Sequence, residues 1–171
     1  MKKVLVTLLP IALCAAAALG MGNENSTVRW NNIVGVITAP GIDNPVGTIH
    51  AGAGPWSVHS GRARVNLSNG FTLFEVDGLV LNGSASSGTP GAITSVKGTL
   101  VCNSGGPAPT ILDTTPVSLN VHGDAHFEGE VYDIPSTCNN PVFLIRIVTP
   151  TGAAGRWIGT GAERFGTNEA H

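Results

Sequence analysis

Beyond its first twenty or so residues the chain carries no sustained apolar repeat of helical period. Instead, β-branched runs broken by Gly, Pro, Asn and Ser recur about every ten to fifteen residues. That pattern points to short strands without crossover helices, which favours antiparallel pairing. Nine segments carry the signal: 28–37, 46–51, 62–67, 71–81, 93–101, 116–122, 124–131, 142–148 and 156–161. Turn-rich pieces separate them at 39–41, 52–55, 83–91 and 103–109. The expected fold is all-β: an antiparallel β-sandwich of about eight to nine strands, with a β-barrel as the alternative.

Composition limits what fills such a fold. Of 171 residues 42% are hydrophobic but only 5% aromatic, so the core rests on Val, Ile, Leu and Ala, with a few Phe and Trp at chosen places. Charged residues make up 12%, too few for a disordered chain of this apolar content. The length suits one domain.

The first twenty residues read as a secretory signal: Lys2 and Lys3, an apolar run from Val4 to Ala18, and the small-residue end Ala18-Leu19-Gly20. As an anchor the run is short, holds Pro10, and lacks a basic flank. The domain is therefore expected over 21–165, with 166–171 a polar tail and no membrane span once the leader is cleaved. Export, periplasmic or extracellular, follows. The short basic start is of bacterial type, and the sequons at Asn25, Asn66 and Asn82 then read as chance features of a polar surface.

Cleavage would also remove Cys14 and leave Cys102 and Cys138, for which one disulfide is the expectation in an oxidising compartment. The remaining seven basic residues face eleven acidic ones, a net charge of −4. With no cationic cluster in the sequence, nucleic acid is not an expected partner.

Asn69-Gly70 between two strand runs is the strongest local hairpin signal. A two-residue type I′ turn would place Ser68 opposite Phe71, then Leu67 opposite Thr72, Val65 opposite Phe74 and Ala63 opposite Val76. On the other face Arg64 would meet Glu75 and Arg62 would meet Asp77. A short echo, residues 58–65 against 121–127, would fit two similar hairpins, but short strands alternating Ala and Val also resemble each other by chance, which is the plainer reading.

Chemistry concentrates in His122-Gly123-Asp124-Ala125-His126-Phe127-Glu128-Gly129-Glu130. Strand alternation would put His122, Asp124, His126, Glu128 and Glu130 on one face. His122, Asp124, His126 and Glu128 then form a candidate metal-binding set, and the same face a candidate site for a metal-dependent or acid/base hydrolase. The plainer reading is the solvated side of an open sheet. His50, Trp56 and His59, near glycine-rich turns, are candidate ligand contacts. No nucleophile elbow, phosphate loop or cofactor fingerprint occurs, so no catalytic residue and no cofactor is assigned.

Taken together, Gly61-Arg62-Ala63-Arg64-Val65, Val76-Asp77-Gly78-Leu79-Val80-Leu81, Val96-Lys97-Gly98-Thr99-Leu100-Val101-Cys102, Phe143-Leu144-Ile145-Arg146-Ile147 and Gly155-Arg156-Trp157-Ile158 resemble small secreted bacterial β-proteins without an assigned activity. More distantly, the order of a G-x-A-x-V strand, a Gly-Leu turn and a late strand followed by Gly-Arg is similar to CHRD domains. That likeness implies an Ig-like or CHRD-like sandwich. The histidine-rich piece that follows the Gly-Leu in CHRD segments has no counterpart in 82–91, so no functional residue carries over. The function these readings imply is an exported binding or structural module, not catalytic, whose partner is a small molecule, glycan or protein.

Overall fold

The computed structural model describes residues 26–38, 42–83 and 85–165. The leader-like 1–20, Cys14, the sequon at Asn25, the turn at 39–41 and the tail 166–171 lie outside the described residues. Eleven strands are found among those described: β1 (Thr27–Gly35), β2 (Trp56–Ser57), β3 (Ser60–Asn66), β4 (Phe71–Asp77), β5 (Val80–Leu81), β6 (Ser95–Cys102), β7 (Thr110–Asp113), β8 (Val117–Ser118), β9 (Ala125–Glu130), β10 (Val142–Val148) and β11 (Ala154–Phe165). The protein is all-β, and no helix among the described residues is long and apolar enough to cross a membrane.

Nine strands join in one antiparallel sheet, in the order β7-β6-β10-β11-β1-β3-β4-β9 with β8 also on β6, and β2 and β5 pair separately. The sheet curls into a half-barrel. This pairing does not establish a sandwich of two stacked sheets. Curling brings distant strands face to face, and four aromatic rings fill the space between them. Trp30 of β1 lies 5.6 Å from Phe143 of β10, Phe143 lies 5.6 Å from Phe74 of β4, and Phe74 stacks on Phe127 of β9 at 5.7 Å. Gly98 of β6 makes this possible: a Cβ there would stand 2.7 to 2.8 Å from the rings of Phe143 and Phe74.

Alternation explains most strands. In β4 Thr72, Phe74 and Val76 are buried, and Leu73, Glu75 and Asp77 lie outward. β10 departs from it. Phe143, Leu144 and Ile145 are all buried, because its outer side is covered as well. Part of that cover is visible at the neighbouring strand, where Gly47 packs on Pro109 with Val101 of β6 beneath. A continuous apolar run is the sequence form of a strand buried on both faces.

The β3–β4 hairpin forms with a register two residues away from the expected one. Val65 pairs with Thr72, Ala63 with Phe74, Arg62 with Glu75, Arg64 with Leu73 and Ser60 with Asp77. An even slip preserves every inward and outward assignment while exchanging partners. Arg62 therefore binds Glu75 at 2.8 Å, and Ser60 Oγ donates to Asp77 at 2.9 Å. The turn causes the slip. Asn66 Oδ1 accepts from Ser68 N, Ser68 Oγ and Asn69 N, its carbonyl accepts from Gly70 N, and Leu67 N donates to Ser26. The loop is thus four residues long. Gly70 takes a positive φ of 78° and Asn69 does not, which excludes type I′.

Other expected boundaries also move. The run 46–51 forms no strand and makes only isolated β-bridges, Val46 with Ile49 and Ala51 with Trp157. The run 71–81 breaks at Gly78, whose φ is 65° and whose N–H is taken by the Asp124 carboxylate. Residues 116–122 contribute only Val117–Ser118, and Thr110–Asp113 is an added strand. The echo does not hold: Gly61 lies in a strand, whereas Gly123 has φ 83° in the turn before β9.

The disulfide joins Cys102, at the end of β6, to Cys138 before β10, across 36 residues. Asn103 N donates to Asn139 O, Asn139 N to Asn103 Oδ1, and Ser104 Oγ to Asn140 O, so the bridge sits in a hydrogen-bonded clasp. Loop-closure entropy for that span predicts that Cys102→Ala/Cys138→Ala lowers stability by about 3–4 kcal/mol in urea titration. Phe74→Ala, which opens a cavity at the centre of the ring cluster, is predicted to cost about 3–5 kcal/mol in the same assay.

Candidate functional site

β1 is straddled by β11 and β3, but not along its whole length. Pairing with β3 runs from Thr27 to Trp30 and stops there, while pairing with β11 continues to Gly35. Two consecutive exposed residues, Asn31 and Asn32, break the alternation at the point where β3 departs. The edge of β1 that this frees runs beside β2. Gly35 packs directly on the Trp56 carbonyl, and Trp56 N donates to Val36 O at 2.8 Å. A Cβ at Gly35 would overlap that carbonyl.

The divergence leaves a groove of about 470 Å³, whose walls include Val34, Ile37, Trp56, Val58 and His59, with Asn82 at one side. Its size falls within the range of small-molecule sites. Val34 and Ile37 are exposed, Ile37 to 83%, so the rim presents apolar surface to solvent. Asn82 N donates to Pro55 O, tying the β5 end to the wall that holds β2.

Two of the three candidate ligand contacts meet here. His59 is exposed on the wall, its N–H held by Asp77 O at 3.0 Å. Trp56 also lines the groove but is 6% exposed, so its ring serves the core instead of offering a stacking face. His50 lies apart. Its Nδ1 pairs with Asp43 Oδ2, and Asp43 Oδ1 accepts from Ala51 N at 3.2 Å. That hydrogen bond from His50, above all, holds the Asp43 carboxyl below its ordinary pKa. Arg156 donates to Ala51 O at 2.7 Å and Trp157 Nε1 to Asn44 O at 2.9 Å, so the group fastens the 42–51 loop to β11.

The His122 to Glu130 segment does not present one continuous strand face. β9 begins only at Ala125, and His122 sits in the preceding turn with its N–H on Asn120 Oδ1. Asp124 is committed to structure: Oδ1 accepts from Gly78 N at 2.9 Å and Oδ2 from Asn120 Nδ2 at 3.0 Å. His126 lies opposite Glu75 and Glu128 opposite Leu73, both exposed on the outer side. Among the described residues no three His, Cys, Asp or Glu side chains converge to hold a metal ion.

A shallow pocket of about 390 Å³ does bring His126 near Glu75, Asp77, Asp124 and Ser118. Each carboxylate there is already engaged: Glu75 by Arg62, Asp77 by Ser60, Asp124 by Asn120 and Gly78. Hydrogen bonds from Asn120 and then Gly78 hold the Asp124 carboxyl below its ordinary value, which is the wrong direction for a general acid.

The groove residues Val34, Ile37 and Asn82 were not among the sequence candidates. The signal that could have found them is the Asn31-Asn32 interruption, which marks where β1 changes neighbours. Comparison with protein-family models, with curated proteins and with solved structures finds no match.

Because the folded-state pKa of Asp124 is depressed, its contribution to stability is present above the unfolded value of 3.8 and is lost as pH falls through the folded one. Asp124→Asn is therefore predicted to lower the urea midpoint at neutral pH. The gap from the parent protein should narrow as the titration is repeated below pH 3.8.

Proposed function

We propose that the chain is an exported, disulfide-closed β-module that binds a ligand in the groove between β1 and β2. The observation that carries this reading is the groove itself, where Val34 and Ile37 stand exposed beside His59 on a wall fixed by backbone hydrogen bonds. Apolar surface with a few polar groups on rigid elements is the usual make-up of a binding site. Export is supported by the leader-like start and by a disulfide, which persists in oxidising compartments. The ring contacts across the curl support treating the two sides of the half-barrel as the layers of a sandwich, as the CHRD-like segments imply.

The competing reading is a hydrolase built on His126 with Glu75 or Asp124. It is favoured by the pocket those residues share and weakened by the structural duty of each carboxylate in it.

Screening the purified protein against a panel of glycans and small metabolites, by ligand-observed NMR, tests the module. The expected result is a hit that Val34→Asp or Ile37→Asp abolishes while the fold is kept, alongside no turnover in a broad hydrolase screen. Turnover abolished by His126→Ala alone would overturn it.

A further inference from the structure

On the outer face of the sheet Arg29 of β1 stands directly opposite Arg64 of β3. Side chains at facing antiparallel positions begin only about 4.5–5.5 Å apart, and like charges placed so repel. Arg62 lies on the same face two residues along and is neutralised by Glu75 at 2.8 Å. Among the described residues neither Arg29 nor Arg64 has a carboxylate within ion-pair reach. Glu128 lies on the far side of Leu73, and Glu163 sits in β11 between the partners of Asn32 and Trp30. The Arg64 guanidinium rests 5.2 Å from the centroid of the Phe71 ring, a cation–π contact that holds it on the outer face.

The other arginines contrast with these. Arg146, Arg156 and Arg164 each donate to backbone carbonyls and hold loops in place. Arg29 and Arg64 instead border a recess of about 300 Å³, together with Asn31, Arg62 and Leu73.

We propose that this recess is a binding site for a tetrahedral oxyanion of charge near −2, a phosphate or a phosphate monoester. With Arg62 matched by Glu75, two uncompensated positive charges face each other across a gap, and a dianion between them balances both. Planar guanidinium forks are the side chains best shaped for bidentate contact with such a group. The site lies on the outer face, separate from the groove beside β2.

Following the arginine Nε–Hε resonances during addition of inorganic phosphate at low ionic strength tests this. Glucose 1-phosphate distinguishes a monoester from the free ion, and acetate serves as the monoanion control. The expected result is saturable shifts at Arg29 and Arg64 with phosphate or the ester and none with acetate. The affinity should fall about tenfold or more in Arg29→Gln and in Arg64→Gln, and hold in Lys97→Gln. Without phosphate, Arg29→Gln should raise the urea midpoint, because a repulsion is removed. The proposal is overturned if the shifts fail to saturate, if acetate matches phosphate, or if affinity survives Arg29→Gln. It is likewise overturned if Arg29→Gln lowers the midpoint, which would make the residue a structural element. Should Arg64→Gln fail to fold after losing its Phe71 contact, Arg29→Gln decides alone.

Discussion

Contact among Trp30, Phe143, Phe74 and Phe127 holds the protein in its curled form. Each ring comes from a different strand, and the chain of contacts runs from β1 through β10 and β4 to β9. Phe74 and Phe127 are cross-strand neighbours, but a flat sheet would keep β4 and β10, with three strands between them in the order β7-β6-β10-β11-β1-β3-β4-β9, from touching at all. With so few aromatic residues in the chain, placing four in one cluster concentrates the packing where curvature must be enforced. Gly98 is the complement of that cluster, since the rings occupy the place a side chain would take. Glycine at this point reflects close approach of neighbours and not an unusual backbone angle.

Strand content was legible because it depends on alternation, which is local. The inward set Ala63, Val65, Thr72, Phe74 and Val76 follows from the sequence alone and survives in the structure. The register was not legible, because it was decided by Asn66, whose side-chain oxygen gathers three donors and lengthens the loop. Asn-Gly marks a turn without fixing its length. The association of β1 with β11 joins residues more than a hundred positions apart, and no pattern within a strand encodes such a pairing.

The same distinction separates the candidate sites. Two residues with the most suggestive chemistry in the sequence, Asp124 and His50, turn out to tie turns and loops in place. Asp124 ties the turn after β4 to the turn before β9 through Gly78 and Asn120. The features left without an internal duty, the β1–β2 groove and the facing Arg29 and Arg64, both arise where β1 lies between two neighbours. Neither contains a motif. Each is a product of which strands are adjacent, and so was invisible until adjacency was known.

A half-barrel, unlike a closed one, has two outer edges, here β7 with β8 beside it on β6, and β9. At one end β7 is four residues long. At the other, β9 is longer and carries His126, Glu128 and Glu130 at every second position. An incoming strand from another molecule would have to lay its own side chains against that ionic row, an arrangement known to discourage stacking of one copy on the next. Half of what looked like a ligand set in the sequence, His126 and Glu128, thus lies along an edge strand, where polar and charged groups at alternate positions disfavour pairing with a second copy.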